Sequence, residues 1–66
     1  MIIKYFQDTD TLMISFNSNQ IIDTKDINEN LLVELDANGA IVSMTLEHAK
    51  SIANINDFSY QQIALA

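Results

Sequence analysis

Apolar and polar residues alternate along most of the chain from residue 2 to residue 46. The run IIKYF, residues 2–6, is β-branched and aromatic, which is strand composition. In TLMISFN, residues 11–17, Leu12, Ile14 and Phe16 alternate with Met13, Ser15 and Asn17, a strand of period two. QDTD lies between them and predicts a turn, because Asp side chains bond nearby amides and tolerate tight backbone. The two runs therefore predict a hairpin with Asp8 and Asp10 at its tip. IIDTKDI, residues 21–27, is a third strand with neither face cleanly apolar. Ile21, Asp23, Lys25 and Ile27 share one side, and Ile22, Thr24 and Asp26 the other, a pattern that suits a sheet edge. NLLVELD, residues 30–36, puts Leu31, Val33 and Leu35 on one face, with Glu34 and Asp36 pointing away. AIVSMTL, residues 40–46, puts Val42, Met44 and Leu46 on one face and Ile41, Ser43 and Thr45 on the other. Asp36-Ala37-Asn38-Gly39 joins these two strands. Its Asn-Gly pair predicts a tight hairpin, since both residues accept positive φ at little cost.

The pattern changes at Glu47. Leu46, Ala49, Ile52 and Ala53 recur at helical spacing and predict a short helix over residues 47–53. Asn56 or Asp57 is placed to cap a second helical turn through FSYQQIAL, residues 58–65. Strands followed by helical material give an α+β fold: an antiparallel β-meander of four to five strands followed by a short C-terminal helical segment, in one domain over residues 1–66. Met13, Leu32 and Ile41 fall on the second sheet face, partly bare unless the C-terminal segment covers them. That segment carries Phe58, Tyr60, Ile63 and Leu65 and packs either on the sheet or on another chain. These seven residues form the candidate partner-binding set. Each Leu- or Ile-sized side chain buried contributes roughly 1.5–3 kcal/mol, so two or three of them suffice to drive dimerisation.

Length and charge sharpen this picture. A chain of 66 residues buries a small share of its surface and needs help to be stable. It has no cysteine, which excludes disulfides, thiolate metal sites and a cysteine nucleophile, and its single histidine excludes a multi-histidine site. Oligomerisation, as a homodimer or a higher homo-oligomer, is the remaining aid. Nine acidic residues against three lysines leave a net charge of −6. That charge disfavours direct contact with nucleic acid and with anionic membranes, and attracts a basic protein. The same charge also serves simply to keep a small apolar protein soluble. No apolar run approaches a membrane span and no secretory leader is visible, so the expected location is cytoplasmic.

Few residues carry the means for catalysis. Asp8 and Asp10 alternate as calcium ligands do, but the glycine and glutamate that such a loop needs fall at Met13 and Asn19. Glu47 and His48 are neighbours, and neighbours on a helix do not face each other. No serine sits in a Gly-x-Ser-x-Gly elbow, and one glycine cannot make a phosphate-cradling loop. The expectation is a protein with no enzyme activity, no cofactor and no metal.

YFQDTDTLMISF resembles the signature Tyr-Asp-x-x-x-Asp-x-Leu-Tyr-Ile-x-Leu of a family of small bacterial and archaeal proteins, domain of unknown function family 2283. Tyr5, Asp10, Leu12, Ile14 and Phe16 carry the likeness. NLLVELDANGAIVSMTLEHA continues it, with Asp36, Gly39, Val42, Leu46 and Ala49 in register. The likeness covers most of residues 3–53 and departs at Phe6, Met13 and Ser43. It implies an antitoxin-like role, because members resemble the partner half of two-gene modules encoded beside a small basic, ribonuclease-like toxin. The expected function is a non-enzymatic protein-interaction module, an antitoxin-like inhibitor that binds a small basic toxin. The alternative is a self-assembling structural protein whose main partner is itself.

Overall fold

The structure is a computed structural model that describes residues 1–65. Five strands and one helical turn follow each other along the chain: β1 (Ile2–Phe6), β2 (Thr11–Ser15), β3 (Asp23–Asp26), β4 (Leu31–Leu35), β5 (Ile41–Glu47) and α1 (Ala49–Ile52). All neighbouring strands are antiparallel. The fold is α+β, a five-stranded antiparallel sheet followed by a short helix, as the alternation predicts.

The strand order is β1-β2-β5-β4-β3. A hairpin (β1–β2) and a three-strand meander (β3–β4–β5) are therefore joined through β2 and β5, not through strands adjacent in sequence. Residues 16–22 carry the chain from β2 to the far edge. The Phe16 N–H donates to the Val42 carbonyl and the Ile22 N–H to the Leu35 carbonyl, both at 2.8 Å, which pins the two ends of this connection. Ile21 and Ile22 are used in the crossing, so the third strand begins at Asp23 rather than at residue 21.

The register defines two faces. On one, Ile3–Ile14–Met44–Val33–Lys25 form a row across all five strands, and Tyr5–Leu12–Leu46–Leu31 form a second row beside it. On the other, the row is Lys4–Met13–Thr45–Leu32–Asp26, flanked by Ile2–Ser15–Ser43–Glu34–Thr24. The first is the apolar face and the second a mixed face. Large cross-strand pairs such as Ile14–Met44 each add a fraction of a kcal/mol to about 1 kcal/mol, and β5 occupies the centre because both its neighbours present such pairs to it.

The turn between β4 and β5 differs in detail from its prediction. Gly39 is in the left-handed region at φ 80°, whereas Asn38 is not. The Gly39 N–H donates to the Asp36 carbonyl at 3.0 Å, and the Asp36 N–H donates to the Ala40 carbonyl at 2.9 Å. This is the longer hairpin loop, in which one glycine supplies the positive φ. The Asp36 side chain selects it: Oδ1 accepts the N–H of Asn38 at 2.9 Å and of Ala40 at 3.0 Å. Those bonds, the Ala40 one foremost, hold the Asp36 carboxyl below its ordinary range.

The C-terminal part also departs from expectation. Helix α1 has four residues, within the predicted 47–53. Residues 58–65 form no helix. Asp57 closes a turn, its N–H donating to the Asn54 carbonyl at 3.1 Å, instead of capping a second helix. An isolated helix shorter than about 12 residues is marginal in water, and this segment buries little of its apolar surface against the sheet. Its apolar side chains stand in solvent: Phe58 is 67 %, Tyr60 72 %, Ile63 74 % and Leu65 92 % exposed. Among the described residues, no helix is long and apolar enough to cross a membrane.

The result is a thin slab, 41 × 33 × 19 Å. Among the described residues, the buried apolar positions are Val33, Val42 and Ala49, and no large side chain is fully enclosed.

The Gly39 turn yields a first expected outcome. An added Cβ there meets nothing within 4 Å. Gly39→Ala therefore costs only the left-handed backbone penalty, roughly 1–2 kcal/mol. Urea denaturation of the two proteins measures it, and equal midpoints would mean that the turn does not hold this conformation.

Candidate interaction surface

The tip of the β1–β2 hairpin does more than turn the chain. Asp10 is left-handed at φ 55°, a conformation Asp tolerates better than most residues. Its carboxylate Oδ1 accepts the Tyr5 hydroxyl at 2.7 Å and the Lys50 N–H at 3.0 Å. Its carbonyl accepts the Ala49 N–H at 3.1 Å. Ala49 and Lys50 open α1, so Asp10 satisfies the first two unpaired N–H groups of a helix 40 residues away in sequence. The residue preceding the helix, His48, offers no side-chain cap and is itself left-handed at φ 54°. Asp10 caps the helix from outside, and this clasp holds the C-terminal segment over β1 and β2.

The clasp shifts both partners. The Tyr5 hydroxyl bond, aided by the Lys50 N–H, holds the Asp10 carboxyl below its ordinary value of 3.8. The same bond pushes Tyr5 from 10.0 up to about 12. Asp8 is exposed beside this structure, and Glu47 donates its backbone N–H to the Asn30 carbonyl at 2.7 Å. His48 Nδ1 lies 2.9 Å from the Asn30 side-chain oxygen. The four residues with candidate chemistry thus take part in turn, cap and strand-end contacts. Among the described residues, no group of three or more His, Asp and Glu gathers to hold a metal. The Tyr5–Asp10 bond closes within the β1–β2 hairpin, whereas the contacts of Lys50 with Asp10 and of His48 with Asn30 have no signal in local spacing and arise only where the chain passes beyond β5.

The candidate partner-binding residues fall into three places. Met13 and Leu32 share a row of the mixed face, on either side of Thr45, and both are half-buried. Ile41 does not join them. A register shift at Glu34/Leu35 pairs it with Leu35, whose alternation belongs to the apolar face. Phe58, Tyr60, Ile63 and Leu65 lie on the non-helical arm and are exposed. The arm's root lies on the apolar face and leaves the mixed face open. There it bounds a cleft of about 440 Å³, with Ile3, Tyr5, Leu12 and Ile14 on one wall and Ile55 and Phe58 on the other. On the mixed face, Asp26, Glu34 and Glu47 surround Leu32 and Thr45, with Glu29 in the adjoining loop. Ser43 is buried there, its Oγ donating to Glu34 Oε1 at 2.8 Å.

The clasp makes stability depend on pH in two windows. Asp10 is depressed, so its contribution is present above 3.8 and is lost as pH falls through its lower folded value. Tyr5 is raised, so its contribution is present below 10.0 and is lost as pH rises towards about 12. Ultraviolet titration is expected to show one tyrosine ionising near 12, and Tyr5→Phe to remove that step. Asp10→Asn is expected to bring Tyr5 back towards 10.0; a Tyr5 that titrates there in the unsubstituted protein would show the clasp unformed.

No curated protein and no solved structure matches the chain. One family model does, over residues 2–50, which takes in the whole sheet, the Asp10 clasp and the first two residues of α1, and leaves the arm outside. On that match the chain belongs to the family described as protein of unknown function, DUF2283.

Proposed function

We propose that the protein is a non-enzymatic protein-interaction module, an antitoxin-like inhibitor that receives a small basic protein on its mixed face. The observation that carries this reading is the make-up of that face. Met13 and Leu32 provide an apolar centre, with Asp26, Glu34 and Glu47 grouped around its Leu32 side and a single lysine, Lys4, beside Met13. Protein interfaces combine an apolar core with a polar rim, and a net charge of −6 accelerates encounter with a basic surface. The candidate acids and bases are engaged elsewhere: Asp10 in the clasp, His48 with Asn30. Such an inhibitor works by covering a basic active site, in the cytoplasm alongside the toxin it restrains.

Self-assembly is the second reading, and the exposed surface favours it. The chain exposes 5326 Å², whereas a compact folded chain of this mass exposes about 4,200 Å². Apolar side chains supply much of the excess, including Ile2, Phe6 and Ile22 as well as the arm.

Purification of the tagged protein from its native host at low salt is expected to recover a small basic partner in stoichiometric amount. With that partner in hand, Leu32→Glu and Glu34→Lys are each expected to weaken binding about tenfold, near 1.4 kcal/mol. Added salt should slow association more than it speeds dissociation. Recovery of no basic partner, or binding indifferent to both substitutions, would defeat the reading.

A further inference from the structure

We propose that two copies of this chain exchange their C-terminal arms, each laying Tyr60, Ile63 and Leu65 against the apolar cleft of the other. The cleft and the arm are complementary within one chain, but the chain's own arm points out of it. Phe58 and Ser59 already line the cleft wall, and residues 60–65 beyond them are exposed and belong to neither helix nor strand. The walls are closed by Ile3, Leu12 and Ile14, and about 440 Å³ is room for more than one large side chain.

The amount of surface agrees with this occupant. The excess over a compact monomer is about 1,100 Å², and a stable interface buries about 800 Å² on each partner. Aromatic side chains bury 150–250 Å² each, so Tyr60 and its two aliphatic neighbours together with the cleft walls reach the required scale. Of the residues that line the cleft only Asp57 is charged, so the site offers a basic protein little attraction and sets a single carboxylate against the arm of a second copy. Exchange of identical elements closes as a two-fold dimer, each arm repeating the other's contacts.

The inference concerns the apolar face, whereas the partner reading concerns the mixed face, so the two fail separately. Sedimentation equilibrium of the full chain over a range of concentrations is expected to give the mass of two chains. The full-length triple variant Tyr60→Ser, Ile63→Ser, Leu65→Ser changes only exposed side chains and is expected to give the mass of one chain with an unchanged circular dichroism spectrum. Ile3→Lys, at a half-open cleft position on the edge strand, is expected to do the same. A peptide of residues 57–65 added to the triple variant should perturb the Leu12 and Ile14 methyl resonances. A wild-type chain that sediments as one copy overturns the proposal. A triple variant that remains a dimer overturns it too and assigns the contact to another surface. Mixed-face variants such as Leu32→Glu should leave the mass unchanged.

Discussion

A sheet has two faces, and this chain has material to cover only part of one. Stable domains close their core between at least two packed layers. Here the second layer is a four-residue helix and an arm that is neither helix nor strand. The consequence appears in the dimensions: the radius of gyration is 13.4 Å, against about 11 Å for a compact chain of this length. It appears again in the core, which is centred on Val33 and Val42 beneath the middle strands and on Ala49 under the clasp. Every pair of neighbouring strands is hydrogen-bonded, with one register shift between β4 and β5, so the fold is defined by hydrogen bonds and cross-strand rows more than by enclosed side chains. Such an architecture gains stability mainly by acquiring a surface to lie against.

The clasp at Asp10 sets where that surface remains open. A single turn of helix does not persist on its own. Asp10 supplies two acceptors to its first N–H groups, and Tyr5 fixes the carboxylate that provides one of them. His48, left-handed, reverses the chain from β5 onto the apolar face, and its imidazole rests on Asn30. Asn and Asp side chains organise the opposite end in the same manner: Asn17 reaches the Ile41 carbonyl at 3.2 Å, and Asn19 reaches Asp36 at 3.1 Å. With one glycine and no proline in the chain, short polar side chains do the work of shaping its turns.

Period-two alternation made the strands readable in the sequence. It placed Leu12 with Ile14, Leu31 with Val33, and Met44 with Leu46, and the register confirms each grouping. The Asp-Ala-Asn-Gly turn was readable in place but not in type, because Asp36 Oδ1 selects the longer loop and spares Asn38 a positive φ. Strand order was not readable. β5 alternates identically whether its outer neighbour is β2 or nothing, and only the seven-residue crossing decides. Ile41 was misplaced for a related reason: a bulge takes one residue out of alternation without leaving a mark in the pattern. The arm failed differently. Its helical spacing is real, but spacing becomes helix only when an apolar stripe has something to cover, and beyond the cleft wall at Phe58 and Ser59 the arm's side chains stay exposed. Of the candidate surface, Met13 and Leu32 followed from alternation, whereas the link from Asp10 to Lys50 joins residues too far apart for any local signal.

The two faces are chemically unlike, and this has a thermodynamic consequence. The mixed face carries Asp26, Glu34 and Glu47 around a small apolar centre, while the cleft on the other face is lined by uncharged side chains on its sheet wall. Occupants of the two faces do not compete, because the sheet lies between them. Each occupant that binds only the folded chain adds to its stability by mass action. A single-layer chain therefore has its least stable form when it is alone and dilute, and its most stable form when both faces are covered. A marginal fold of this kind is removed fastest by proteolysis in the uncovered state, since degradation follows the unfolded fraction. On the proposed function, the thinness of the layer thus links the chain's abundance to its company: with so little core within one copy, persistence follows the fraction of copies whose faces are covered.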